Sequence, residues 1–367
     1  MTMPPPVAVH QPVELTWYGC DLKSGRITEE LRALSPSQPL TRKLGTSTTT
    51  SVQLALDGAP KDWEAATEPG RTMLVAVDRV TEQPVGAWLT LTRAGGTAPV
   101  LDLGGATPEA YFDRRYVAAY SGYGVDQAAV FTNTGAPLLV SAPPFVMDAP
   151  SIGTTTTYSV DDSDDRTILS VWQELTAGGG PEWTVDIAWA ADGSGFVLPI
   201  RVRPQIGVVT STPDPVFDMP GCISSYTLTE SYEEGKGATR VRAYGDGEGA
   251  SRLRSDLLTA DDLIAAGYCL WEHRYTPADG LTDPTQLTAH AREDLAAMRT
   301  GAAVWTVDAV ASRAPRLGRD FGLGDSVRVQ ITRSPRHPQG ASTVARCWSW
   351  QLDPGADAVS PILVEDD

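Results

Sequence analysis

Two blocks of short strands, far apart in the chain and separated by helical segments, constrain what these 367 residues can fold into. The first block occupies residues 1 to about 105. In its segment SVQLAL, Val52, Leu54 and Leu56 share one face while Gln53 and Ala55 share the other, the period of a half-buried strand. WYGCDLKSGRITEEL reads as a hairpin: Thr16 to Leu22 favours a strand, Lys23-Ser24-Gly25 turns, and Arg26 to Leu31 returns. RTMLVAVDRV and GAWLTLTR follow, joined at Glu82-Gln83-Pro84. About five or six strands at regular spacing predict a small barrel or sandwich.

At Thr107 the pattern changes. TPEAYFDRRYVAAY opens with a Thr cap and a Pro at the first helical position, which predicts a helix. DDRTILSVWQELTAGGG sets Ile168, Leu169, Trp172 and Leu175 at helical spacing and ends in glycines suited to a left-handed cap. EWTVDIAWA places Trp183, Val185, Ile187 and Trp189 on one face, turns at ADGSG and returns as FVLPIRV.

Strands resume with ISSYTLTESY and ATRVRAYG. From Leu258 to Gly301 the pattern is helix, strand, helix. Thr259 with Asp262 resembles a capping box, Asp283-Pro284 a cap followed by a first-turn proline, and Leu287, Ala291, Leu295 and Met298 an apolar stripe. AVWTVDAVA, GDSVRVQITR and ARCWSWQL complete the second strand block; in SVRVQI, Val327, Val329 and Ile331 face inward and Arg328 and Gln330 outward. The expected fold is a β-rich α+β chain with two small β-barrel domains, 1–105 and 201–249 with 303–353. Two smaller α/β domains accompany them: an α+β domain at 106–200, and one at 250–302 inserted in the second barrel. Residues 354–367 are expected to form an extended C-terminal tail.

The formal net charge of −17 argues against duplex-DNA binding, which needs a basic footprint. Cys20, Cys222, Cys269 and Cys347 lie far apart with no metal spacing, as expected of free thiols. MTMPPPVAVHQP lacks the charged start and apolar core of a signal peptide, and no apolar run reaches bilayer length, so a soluble chain made in a cytosol is expected.

Gly245, Gly247 and Ala250 match a dinucleotide fingerprint, with Glu272 at the end of the next strand. Arg240 and Arg242 nevertheless give the preceding strand a solvated face, and Asp246 and Glu248 would oppose a pyrophosphate. The aspartates of VDDSDDRT lack the glycine and distal glutamate of a calcium loop; Ser163 or Asp164 is expected to cap the helix that follows. His10, His273, His290 and His337 sit in no catalytic motif, and adjacent Glu272 and His273 on a strand point to opposite faces. Trp183 with Trp189, and Trp348 with Trp350, recur at even spacing, as core or interface residues do. The expectation is no catalytic, cofactor-binding or metal site.

In its order of barrel, α+β segment and interrupted barrel, the chain resembles the baseplate or tail hub proteins of tailed bacteriophages. The resemblance is to hub-like minor tail proteins of actinobacterial siphophages. It is carried by YGCDLKSGRITEELR with RTMLVAVDRV and GAWLTLTR, by SVWQELTAGGGPEWTVDI, by GYCLWEHRYTPADGLTDPTQLTAHAREDL, and by LGDSVRVQI. It implies a non-enzymatic homotrimer in the virion tail tip, assembled in the bacterial cytoplasm. Two related barrels per subunit would adapt a sixfold tail tube to threefold tip components and gate the DNA channel. The implied partners are the distal tail protein ring, the tape measure protein C-terminus and a receptor-binding or central fibre protein; genomic DNA would pass through without specific binding. Cys20 and Asp21 would belong to a barrel hairpin whose Gly25 turn, or the loop beside it, meets another ring. The alternatives are a tail-associated cell-wall hydrolase and a carbohydrate-binding adhesin using the tryptophan-bearing strands.

Overall fold

The computed structural model describes residues 11–177, 180–245, 247, 249–276 and 284–365. The chain is a β-rich α+β protein in two compact units. One unit comprises Met1–Thr176, Gly180–Tyr226 and Val307–Leu363; the other comprises Ala177–Gly179, Thr227–Thr306 and Val364–Asp367.

The larger unit opens with β1 (Leu15–Asp21), β2 (Ile27–Glu30), β3 (Leu34–Pro36), β4 (Leu40–Lys43) and β5 (Thr49–Ala55). A short helix α1 (Trp63–Ala66) precedes β6 (Thr72–Asp78), β7 (Pro84–Gly95) and β8 (Val100–Ala106). Seven of these strands form one sheet in the order β2-β1-β6-β7-β8-β5-β3. Its two edge strands are neighbours in sequence, separated only by residues 31–33. Laid flat, seven strands would hold the edges about 29 Å apart, whereas so short a link reaches about 14 Å. The sheet therefore curls on itself as a half-barrel. Inside the curl Trp17 packs on Trp88, with ring centroids 5.7 Å apart. Every residue of β6 is buried, because the sheet is covered on both faces there: Met73, Val75 and Val77 join an apolar cluster that also holds Phe112, Trp172, Trp183 and Phe196.

Beyond β8 come β9 (Tyr120–Asp126), α2 (Gln127–Thr134), β10 (Phe145–Asp148), β11 (Thr155–Val160), α3 (Ile168–Ala177), β12 (Glu182–Val185), β13 (Ala188–Trp189) and β14 (Phe196–Arg203). The helix expected from Thr107 is only a 3-10 turn, Pro108–Arg114. Glu109 and Phe112, three apart, are both buried, and a 3-10 turn stacks such positions in line. The helix expected at 168–177 is present as α3, with Ile168, Leu169, Val171 and Trp172 buried. Its cap is neither Ser163 nor Asp164. Thr167 Oγ accepts the Ser170 N–H at 3.2 Å, while Asp164 and Asp161 cap a separate 3-10 turn between them. The glycines Gly178 and Gly179 lie outside the described residues.

After β14 the chain lays down β15 (Val216–Met219) and β16 (Ile223–Ser231). It continues through β17 (Arg240–Ala243), β18 (Leu258–Thr259), α4 (Asp261–Ala265), β19 (Glu272–Tyr275) and α5 (Pro284–Met298), and ends with β20 (Ala302–Val310), β21 (Ser326–Ile331), β22 (Ala341–Asp353) and β23 (Ala358–Val364). A second large sheet has the order β15-β21-β22-β23-β20-β16, and β4 adds to it by pairing with β22. Here too the edge strands are consecutive, joined by Pro220, Gly221 and Cys222 alone, so the same length argument requires a curl. Of the segment expected as an extended tail, 354–367, Ala358–Val364 is an interior strand of this sheet, β23, with Val359, Pro361 and Leu363 buried. Pro361 hid it, since proline argues against a central strand.

In the smaller unit β17 is the centre of a three-stranded sheet, antiparallel to β18 and parallel to β19. β17, which falls in the 201–249 segment expected in the second barrel, belongs to this separate sheet instead. Helix α5 covers one face, where Leu287 and Ala291 pack on Val241 and Ala243. Helix α4 starts at Ala260 without a side-chain cap. Thr259 is engaged elsewhere, accepting from Arg240, and Asp262 pairs with Arg299. Asp283 lies outside the described residues. Among the described residues no helix is long and apolar enough to cross a membrane.

Candidate functional site

The groups that sequence brought forward as chemistry are mostly structural. Cys20, at zero exposure on β1, has its thiol pushed up to about 12 by burial, with Asp21 adding to the effect. Burial likewise raises Cys222 to about 11 and pushes Cys347 up, which leaves neither thiol available as a thiolate. Cys269 alone among the four is exposed. Asp21 closes its hairpin by accepting from the Ser24 N–H at 2.8 Å and the Ser24 hydroxyl at 2.6 Å, and those bonds lower its pKa. The Gly25 turn is covered by the chain itself: Phe196 N–H donates to the Gly25 carbonyl, and an added Cβ would sit 2.0 Å from the Phe196 carbonyl oxygen. Of that turn only Lys23 and Ser24 stay exposed, and Gly25 is buried.

Glu272 is held by Arg240 and Arg274, and those hydrogen bonds lower its pKa; His273, next to it, stacks on Tyr275 instead. Gly245 is followed by a short 3-10 turn, Gly249–Ser251, and the Gly245 N–H donates to Leu253, so the fingerprint strand leads into a return bridge rather than a phosphate-binding helix. Asp246 and Glu248 lie outside the described residues, as does His10. His290 is half-buried on α5. His337 accepts or donates with the Tyr226 hydroxyl at 2.6 Å, and that hydroxyl meets Ser334 at 2.5 Å, pinning the turn between β21 and β22. Trp183 and Trp350 are buried, Trp189 packs at a tilt on Phe196 with ring centroids 4.3 Å apart, and Trp348 is half-buried; none offers an open ring face of the kind seen at Trp271, which is 54% exposed. Among the described residues no group of three or more His, Cys, Asp or Glu is placed to hold a metal ion.

What the fold builds with care is rigidity between its sheets. Three arginines that sequence did not single out are buried and paired. Arg316, between β20 and β21, forks onto Asp78 at the end of β6 at 2.5 and 2.7 Å, and also donates to the Gln11 and Pro12 carbonyls. Arg42 of β4 meets Glu109 at 3.0 Å and the Val185 carbonyl at 2.5 Å. Arg346 of β22 forks onto Glu182 of β12 at 2.9 and 2.7 Å and reaches the carbonyls of Gly324 and Ile206. Beside that last pair, Gly207 and Gly324 pack backbone on backbone, both at positive φ; a Cβ on Gly324 would lie 2.1 Å from the Ile206 carbonyl oxygen. The two forks, at Arg316 and Arg346, fix orientation because each needs its partner in plane, whereas Arg42 meets Glu109 through one oxygen only and Glu109 Oε2 is buried without a partner among the described residues. A polar cavity of about 390 Å³ is lined by Arg42, Arg201 and Arg319, each paired with a carboxylate, Glu109, Asp186 and Asp320. The arrangement clamps two curled sheets and the intervening sheet into one body.

The chain matches no protein-family model and no curated protein in sequence. Its fold is shared with solved tail proteins. The tail protein from Neisseria meningitidis aligns with a TM-score of 0.62 at 11% identity, over 97% of this chain and 97% of its own. The 43 kDa tail protein of a Shewanella oneidensis prophage aligns with a TM-score of 0.59 at 8% identity, over 96% of this chain and 98% of its own. A prophage tail protein from Listeria monocytogenes aligns with a TM-score of 0.55 at 10% identity, over 96% of this chain and 94% of its own. At these identities the likeness is one of fold.

Proposed function

We propose that this chain is a structural tail-hub protein of a bacteriophage, three copies of which close into a ring at the tail tip. The observation that carries the proposal is the pair of curled sheets in one chain, each with consecutive strands at its two edges. Three copies supply six such sheets, enough to meet a sixfold tail tube on one side and threefold tip components on the other. Closed rings repeat one heterologous contact between neighbours, and that contact needs both sheets held rigidly, which the three arginine latches do. The ring-forming domains centre on residues 1–105 and on the sheet closed by β15, β16 and β20 to β23. Their expected neighbours are the distal tail ring, the end of the tape measure protein and a receptor-binding or fibre protein. The charge of −17 suits a channel wall that gates DNA without holding its phosphates. The role is mechanical, so zymograms on host wall stay blank. The fold shared with solved tail proteins supports this reading. Mass photometry tests it: trimers form, alone or with a neighbouring tail protein. A strictly monomeric chain that is also missing from purified tails refutes it.

A further inference from the structure

One face of the β18-β17-β19 sheet is covered by α5; the other runs against the sign of the whole chain. Strand alternation puts Arg240, Arg242 and Tyr244 on that uncovered face, and the parallel register sets Arg240 beside Glu272 and Arg242 beside Arg274. The return bridge brings Arg254 opposite Tyr244. Arg252, Arg254 and Arg274 line one open cavity of about 520 Å³ with Tyr244 and Thr276. Arg252 is already aimed, its guanidinium 4.9 Å from the Tyr244 ring centre and donating to Thr276 at 2.7 Å. Arg242 Nε is buried and finds no acceptor among the described residues. Glu272 is the one carboxylate in this register, and it is shared between Arg240 and Arg274. Among the described residues five arginines stand against one glutamate, in a chain of net charge −17; Asp246 and Glu248 of the intervening turn lie outside those residues.

We propose, independently of any role in a tail, that this face binds a thin, flexible phosphodiester polymer of the poly(glycerol phosphate) type. Guanidinium forks match phosphate oxygens, and an array along a strand suits a linear polyanion. The face is open and lacks the desolvated apolar centre on which protein partners anchor. Duplex DNA is a poor fit, because a wide rod of that charge density would also meet the acidic surface around the patch.

Fluorescence anisotropy of labelled poly(glycerol phosphate) with the purified full chain tests the proposal, with duplex DNA and poly-glutamate as competitors. With about four net charges engaged, affinity falls roughly 50-fold between about 50 and 200 mM salt, from the slope of about −0.7 per charge for single-chain polyanions. Arg254→Gln with Arg274→Gln cuts that dependence by about 7-fold, while the double lysine replacement keeps it. Circular dichroism confirms that the variants fold. Should they not fold, hydrogen exchange on the unaltered chain gives the same answer, with polymer-dependent protection at 240–244, 252–254 and 272–276. Absence of binding at low salt, binding indifferent to the glutamine pair, or equal competition by duplex DNA or poly-glutamate would each overturn it.

Discussion

Replacing Arg316 with Met tests whether the two curled sheets are locked together. Arg316 and Asp78 are both nearly inaccessible, with side chains 8% and 2% exposed. Met fills a similar volume but leaves the Asp78 carboxylate buried, with the Val80 N–H at 2.9 Å as its remaining backbone donor. Removing one partner of a buried pair costs about 3–5 kcal/mol. The larger unit holds about 280 residues, so its unfolding entropy near the midpoint is about 0.6 kcal/mol/K and the loss lowers Tm by roughly 5–8 °C. Replacing both residues, Asp78→Leu with Arg316→Met, restores most of that, because an apolar pair leaves no stranded charge. Differential scanning calorimetry of the three variants gives the answer. A loss below about 1 kcal/mol for Arg316→Met is the behaviour of an exposed pair, and it would refute the claim that this latch holds the sheets. Acid acts on the same pair. Burial pulls the Asp78 pKa upward, but the Arg316 and Val80 hydrogen bonds together carry it below the ordinary value. The stabilisation is therefore complete above about pH 4, the unfolded aspartate value, and disappears as pH falls through the lower folded value. Asp78→Asn should flatten that acid limb.

Three further outcomes are expected. Thiol titration of the native chain labels Cys269 fast and the buried Cys20, Cys222 and Cys347 only on unfolding; rapid labelling of all four would contradict the burial described. Gly324→Ala places a Cβ against the Ile206 carbonyl at a φ of +83° and should cost more than about 1–3 kcal/mol, the ordinary strain of such a residue, read from denaturant midpoints. Trp350→Ala opens a cavity beneath β4 and β22 and should cost about 3–5 kcal/mol without altering glycan binding; glycan-array signals that vanish with a folded Trp350→Ala would favour an adhesin.

How much of this was legible in the sequence depends on the distance over which each signal acts. Period-two runs such as Val52 with Leu54 and Val327 with Val329 and Ile331 gave true strands, and Ile168, Leu169 and Trp172 gave a true helix, because each pattern is local. Pro108 and Thr107 misled, since a first-turn signature states where a helix begins and not how far it runs; Glu109 and Phe112, both buried, stack three apart in a 3-10 turn instead. Pro361 masked an interior strand. The latches were invisible for a different reason. Arg42, Arg316 and Arg346 look like ordinary solvated arginines in their own segments, and their partners Glu109, Asp78 and Glu182 lie 67, 238 and 164 residues away. An arginine between buried neighbours, as in Ala345-Arg346-Cys347, was the one local hint.

Electron cryomicroscopy of the assembled ring, within a tail or with its neighbouring tail protein, tests the central claim most directly. The account predicts threefold particles with six similar sheet-built lobes around the axis, two from each copy, each copy's pair linked through Arg316 and Asp78. Particles with one lobe per copy at the ring, or a chain found singly and apart from the tail axis, would contradict it.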